Sequence, residues 1–409
     1  MSQRDQVGLK RALNVAFLTF YGLGTILGAG IYVLVGKIAG IAGLYAPVAF
    51  LVAGIVAAVT ALSYAELSAR YPKCAGEAVY VQEGFGLRPL SLVVGLLLVI
   101  SGLVSSATLV NGFVGYLDIF VEWPPWVVIT LIVAGLGALA TWGIKESAIV
   151  ATVITLIEIA GLFLILAVSA ESLATFPARL PELLPPFETA AWAAIAAAAF
   201  LAFYAFIGFE DMVNVAEEVR DPRRAMPRAI LLAMVVASAL YLLIATAAVL
   251  ALPAAELAAT DAPLALIFER ETGQAPVVIA LISLFAVVNG ALVQIIKCAR
   301  VLYGMSEAGW LPRWLGRVHA RRRTPHYATA LVTVAVLVLA LWLPLVTLAK
   351  ATSFTVLIVF TLIHITLLRV KRREPAPPGV RAYPAWIPVA GFVLTSAMLA
   401  FQTLSALGS

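Results

Sequence analysis

Charge is scarce in this sequence. Asp, Glu, Lys and Arg make up 12% of its 409 residues, where a soluble globular domain carries about 25%. With 63% hydrophobic residues, that scarcity excludes soluble, fibrous and disordered classes and leaves a polytopic membrane protein. Cysteine is nearly absent. Cys74 falls in a loop and Cys298 in an apolar run, so no disulfide is expected. The three histidines, His319, His326 and His364, match no metal-ligand spacing, and no metal or other cofactor is expected. There is no Gly-x-x-x-x-Gly-Lys-(Ser/Thr) loop, which leaves ATP-driven pumping unsupported. A repeated filter motif is also missing, against a channel, and no nucleophile or metal constellation suggests an intramembrane enzyme.

What the chain has is apolar length. A spanning helix needs roughly 20 apolar residues, and eleven runs qualify: 13–36, 45–68, 89–116, 125–143, 148–169, 191–213, 229–252, 275–304, 327–344, 348–368 and 385–407. The first run is far longer than a signal-peptide core and is expected to stay as a signal anchor. With the N-terminus inside, 22 of the 27 Lys and Arg residues fall on cytoplasmic segments or helix ends. The positive-inside rule therefore sets a cytoplasmic N-terminus, and the net charge of +5 reflects loop asymmetry rather than affinity for nucleic acid. All eight tryptophans lie near run ends, as an interfacial aromatic belt requires. The connections 170–190 and 253–274 are short and expected to be partly helical. The expected location is a cell (inner or plasma) membrane, with many passes; nothing here sets an oligomeric state.

Two runs are interrupted. The first holds Gly22, Gly24, Gly28 and Gly30 within nine residues, and each glycine costs a helix interior about 1 kcal/mol relative to alanine. Close packing through small residues is one explanation. A helix broken to bind a ligand is the other. The sixth run carries Gly208, Glu210, Asp211 and Asn214 in its inner half, and carboxylates within a span usually face a cavity or a partner. Packing explains the glycines alone, but not an acidic, interrupted mate five spans later. Two broken helices in corresponding, oppositely directed positions are the signature of an inverted five-plus-five repeat around a midplane site. Residues 12–170 and 190–369 form the two expected repeats, with an extra C-terminal helix over 384–409, in one transmembrane domain.

Several stretches resemble the amino acid–polyamine–organocation permeases, above all their bacterial cationic-amino-acid-transporter-like branch. Gly24-Thr-Ile-Leu-Gly-Ala-Gly-Ile-Tyr32 is similar to the first-helix motif of that family. Tyr64–Glu77, Gly143-Ile-Lys-Glu-Ser147, the Phe203–Arg224 run and Arg300–Pro312 resemble its later motifs in order. The resemblance implies an all-α, LeuT-like fold with broken helices one and six, and transport of amino acids or related amines. It also implies that Ile26, Ala29 and Gly30 meet the substrate carboxylate beside the break at Gly28. Ala29 departs from the usual Ser or Thr, so backbone must suffice there. Tyr204, Ala205, Phe206 and Ile207, before the break at Gly208, would line the amino-group side and gate. The bland reading of Tyr204 is a packed aromatic.

Three charges complete the expected machinery. Glu158 lies roughly 15 Å and Lys297 about 11 Å from the same end of their helices at 1.5 Å per residue. A buried Glu158–Lys297 pair is therefore expected, either as a neutralised helix contact or as a device in which the ammonium stands in for sodium. Proton-driven relatives often carry Lys where this chain has Glu158. Coupling through a carboxylate, through a relocated Lys or not at all stays open; a proton is the expected ion and sodium the lesser one. Glu210 is a second proton candidate, with Asp211 pointing about 100° away as its local partner. The expected function is secondary active transport, by alternating access, of a neutral amino acid with protons. A cationic amino acid or polyamine transporter or exchanger is the alternative, and a non-transporting membrane sensor is the alternative of another class. The expected partners are the substrate and the lipid bilayer.

Overall fold

In the computed structural model the described residues are 13–27, 30–73, 76–142, 148–307, 309–319 and 324–407. They form seventeen helices: α1 (Val15–Leu27), α2 (Gly30–Ala42), α3 (Ala46–Arg70), α4 (Gly76–Phe85), α5 (Arg88–Leu117), α6 (Pro125–Trp142), α7 (Ala148–Val168), α8 (Ala170–Ala174), α9 (Phe176–Leu183), α10 (Thr189–Phe206), α11 (Pro222–Ala251), α12 (Ala254–Ala259), α13 (Pro263–Thr272), α14 (Val277–Glu307), α15 (His326–Trp342), α16 (Leu345–Arg373) and α17 (Trp386–Leu407). A 3₁₀ helix follows α10 over Phe209–Glu218. The chain is all-α and polytopic. Seven stretches are long and apolar enough to cross a membrane, and four shorter helices are apolar as well. Each of the eleven expected runs falls on one or two of these elements.

Local chemistry sets the boundaries. Proline stands in the first turn of α3, α5, α11 and α13, where its missing N–H has no intrahelical partner to lose. α3 stops at Arg70 because Tyr71 precedes Pro72 and leaves the helical region. The connections 170–190 and 253–274 carry α8, α9, α12 and α13, and so are partly helical as expected.

The two interrupted runs sit at the centre. α1 packs against α7 and α11, α10 against α2 and α3, and α14 against α5 and α7. Around them the core is aromatic: Phe360 lies 5.3 Å from Tyr64, 5.9 Å from Phe203 and 5.3 Å from Phe209, centroid to centroid. Buried His364 ties α16 to α3 through Thr60 and Ser63, at 3.2 and 3.0 Å. It serves as a polar bridge between helices. At one end of the bundle Leu13 and Val219 form an isolated parallel bridge, and Arg220 N–H donates to the Leu13 carbonyl at 2.8 Å. The start of the first run is thereby joined to the end of the second.

Candidate substrate and coupling site

The second break packs against the first run on either side of residues 28–29. α1 ends at Leu27 and α2 begins at Gly30; Gly28 and Ala29 lie outside the described residues. α10 ends at Phe206, Ile207 is extended, and Gly208 turns the chain at φ +132°. That conformation suits glycine alone. A Cβ on Gly208 would strike the Thr25 carbonyl, and one on Gly30 would strike the Ala205 backbone. Only glycine lets the two backbones approach this closely.

Hydroxyls stitch the crossing together. Thr25 Oγ1 lies 2.9 Å from the Gly22 carbonyl and 2.9 Å from the Gly208 carbonyl, joining one break to the other. Tyr241 of α11 reaches the carbonyls of Ile26 at 2.6 Å and Ala205 at 2.9 Å. These two groups end α1 and α10, where the last carbonyls have no intrahelical donor. Each carbonyl retains a second lone pair for a ligand. Sequence reading missed Tyr241, one of three hydroxyls with Ser238 and Thr246 inside an apolar run. Ser105 of α5 was missed as well. It holds Tyr204, whose hydroxyl lies 3.0 Å from Ser105 Oγ and donates to the Ser105 carbonyl at 3.2 Å.

The structure brings Ile26, Gly30, Tyr204, Ala205, Phe206, Ile207 and Gly208 together around this crossing. All are buried. The Phe206 ring stacks edge-on against Tyr241 at 5.1 Å. The lining is aromatic and aliphatic, while the polar groups offered are backbone carbonyls and the buried first turn of α2, where helix-start N–H groups attract an anion.

The charged groups are arranged differently from expectation. Lys297 Nζ lies 2.7 Å from Asp211 Oδ1, so its partner is Asp211 rather than Glu158. The reason lies in the second break. Successive residues of a 3₁₀ helix are about 120° apart, and that turn sends Asp211 toward α14 while Glu210 folds back. Glu210 Oε2 accepts the Gly208 N–H at 2.8 Å, capping the break from below. Gln294 Nε2 adds a marginal 3.5 Å contact to Asp211 Oδ2.

Glu158 is left alone. It is 1% exposed, and neither carboxylate oxygen has a hydrogen-bond partner among the described residues. Its backbone is held firmly: Tyr32 of α2 donates to the Glu158 carbonyl at 2.5 Å, and Tyr116 to the Tyr32 carbonyl at 2.6 Å. One turn earlier Thr155 Oγ1 donates to the Phe20 carbonyl of α1 at 3.1 Å. Residues three apart share a helix face, so Glu158 lies on the α7 face that packs on the first run. An isolated carboxylate in such surroundings is stable only with a proton or a cation. Among the described residues, no group of three or more His, Cys, Asp or Glu is placed to hold a metal ion.

Residues 13–406 match the family described as amino acid permease. The chain belongs to that family. As such it falls within the amino acid–polyamine–organocation superfamily, as its motifs suggest. This permease is 28% identical to the branched-chain amino acid permease BcaP of Bacillus subtilis over 93% of this chain and 85% of the relative. It is 29% identical to the Arabidopsis thaliana cationic amino acid transporter 3, mitochondrial, over 92% of this chain, but spans only 64% of that protein's length. A third relative, the methylthioribose transporter of Bacillus subtilis, is 25% identical over 91% of this chain and 84% of the relative. The permease is thus a multi-pass membrane transporter rather than an enzyme.

Proposed function

We propose that this permease is a secondary active transporter that carries a neutral amino acid together with protons by alternating access. The observation that carries the proposal is Glu158, a buried carboxylate without a hydrogen-bond partner among the described residues, while the ammonium of Lys297 is paired with Asp211. Lys297 thus serves as a structural cation, and Glu158 becomes the group that takes up and releases the coupling proton. Glu210, which accepts the Gly208 N–H, is the secondary candidate. The apolar lining of Tyr204, Phe206 and Ile207 and the name of the Bacillus branched-chain relative support a neutral side chain. The substrate carboxylate would meet the first turn of α2, and its ammonium the carbonyls of Ile26 and Ala205. Residues 12–170 and 190–369 are proposed as the inverted repeats of a LeuT-like fold, each opening with its own broken helix. We place the protein in a cell membrane with its N-terminus in the cytoplasm.

The test is radiolabelled uptake in proteoliposomes, with a panel of amino acids and an imposed proton gradient. Wild type is expected to concentrate branched-chain or other neutral amino acids when the gradient is present. Glu158→Gln is expected to keep counterflow exchange and to lose gradient-driven accumulation. Full accumulation by that variant would defeat the coupling role. A second reading, transport of a cationic amino acid, draws on the Arabidopsis relatives' names and on the unpaired carboxylate as a partner for a basic side chain. Under that reading Glu158→Gln abolishes uptake of lysine or arginine and spares neutral substrates.

A further inference from the structure

At the start of α11 a pocket of about 250 Å³ is lined by Arg223, Arg224, Arg228 and Arg381, with Pro227, Leu231, Gly379 and Tyr383 completing its wall. It lies apart from the substrate crossing and takes no part in the proposed transport cycle. Four arginines line it, and among the described residues no carboxylate does. Of their partners, Arg223 donates to the Pro378 carbonyl at 3.4 Å, and Arg224 stands 3.9 Å from Asp221, both side chains being largely exposed. Arg381 lies over the Tyr383 ring at 5.6 Å. Like charges gathered this way repel one another unless an anion joins them.

The floor of the pocket is rigid. Tyr383 N–H donates to buried Glu66 at 2.8 Å, and Arg70 holds the Glu374 and Pro375 carbonyls at 2.8 and 3.2 Å. The α16–α17 connection is thus fixed opposite the first turns of α11. The flank is apolar. From Arg228 the same helix face runs on through Leu231, Leu232 and Val235, and the last two are 49% and 65% exposed. Residues three and four apart share a face, so the arginines give way within one turn to side chains that point at hydrocarbon.

The geometry points to a binding site for the phosphate headgroup of an anionic phospholipid, with its acyl chains lying along Leu232 and Val235. Guanidinium groups match phosphate oxygens bidentately, and basic pockets beside spanning helices take up anionic headgroups. A free phosphate shares the headgroup chemistry but gains nothing from the apolar flank, which is why a lipid is the assigned occupant. Bound there, the lipid bridges the start of α11 to the α16–α17 connection.

The test is native mass spectrometry of the intact protein purified in neutral detergent and supplied with phosphatidylglycerol or phosphatidylcholine. Wild type is expected to retain phosphatidylglycerol preferentially, and each arginine replaced by alanine to lower retention about fivefold. A Arg224→Ala/Arg228→Ala/Arg381→Ala variant should lose the preference, while Arg228→Lys/Arg381→Lys keeps most of it. Should the triple variant fail to fold, Arg381→Ala alone, on the connection, gives the reading. Equal retention of the two lipids by wild type, or unchanged preference in the alanine variants, overturns the proposal. So does a thermal shift with inorganic phosphate that equals the shift with phosphatidylglycerol, which would make the site one for free phosphate.

Discussion

Glu66 and Glu158 are both buried carboxylates on spanning helices, at 0% and 1% exposure, and their surroundings are opposites. Glu66 accepts from Arg70 at 2.6 and 3.0 Å, from Lys371 twice at 2.7 Å and from the Tyr383 N–H at 2.8 Å. Glu158 accepts from no other group among the described residues. A carboxylate with that many donors is committed to its place, and it pins α3, α16 and the following connection together. One without donors gains from whatever cation reaches it. Equal burial therefore says nothing about role; the count of donors separates a fastener from a reactive group.

The sharpest way to break the comparison is to remove each carboxylate in turn. Glu66→Ala leaves two basic groups buried without their anion, and losing one partner of a buried pair costs about 3–5 kcal/mol. Thermal denaturation in detergent should show a large loss of stability, with transport falling in step with folded protein. Lys297→Met should cost about 3 kcal/mol for the same reason, since Asp211 is stranded. Asp211→Asn/Lys297→Met is expected to recover most of that loss, which a double-mutant cycle would measure. Tyr241→Phe removes one hydroxyl shared by two helix-end carbonyls and should cost about 1–3 kcal/mol. Its greater effect is expected on transport, read as a lower apparent affinity because the two carbonyls are no longer held in register. Glu158→Gln is expected to change stability by less than about 1 kcal/mol in either direction, because no hydrogen bond is lost. A loss as large as that of Glu66→Ala would erase the distinction.

The helices were legible in the sequence because apolar length is a coarse signal that survives any detail of packing. So was the second break: an acidic, Gly-interrupted sixth run is hard to read as a continuous helix within hydrocarbon, and Gly208 turns the chain there; the break expected at Gly28 lies outside the described residues. Pairing of charges was not legible. Matching depths along regular helices placed Lys297 opposite Glu158, but the 3₁₀ twist after Gly208 turns Asp211 toward Lys297, and no periodicity argument anticipates a change of period. Tyr241 and Ser105 were invisible for a different reason. One hydroxyl among several in an apolar run looks the same whether it bonds its own helix, as Thr246 does to Leu242, or reaches across to a neighbour.

The bridge between Leu13 and Val219 has a mechanical consequence. With the Thr25–Gly208 hydrogen bond it clamps α1 to the 3₁₀ helix at both ends, while the Met212 thioether lies against Gly22 between them. Two struts clasped at both ends behave as one beam. Any swing that opens this end of the bundle must carry both struts as a single lever or shear both clasps, so the bending is forced onto the joints above them, where Ile207 already runs extended.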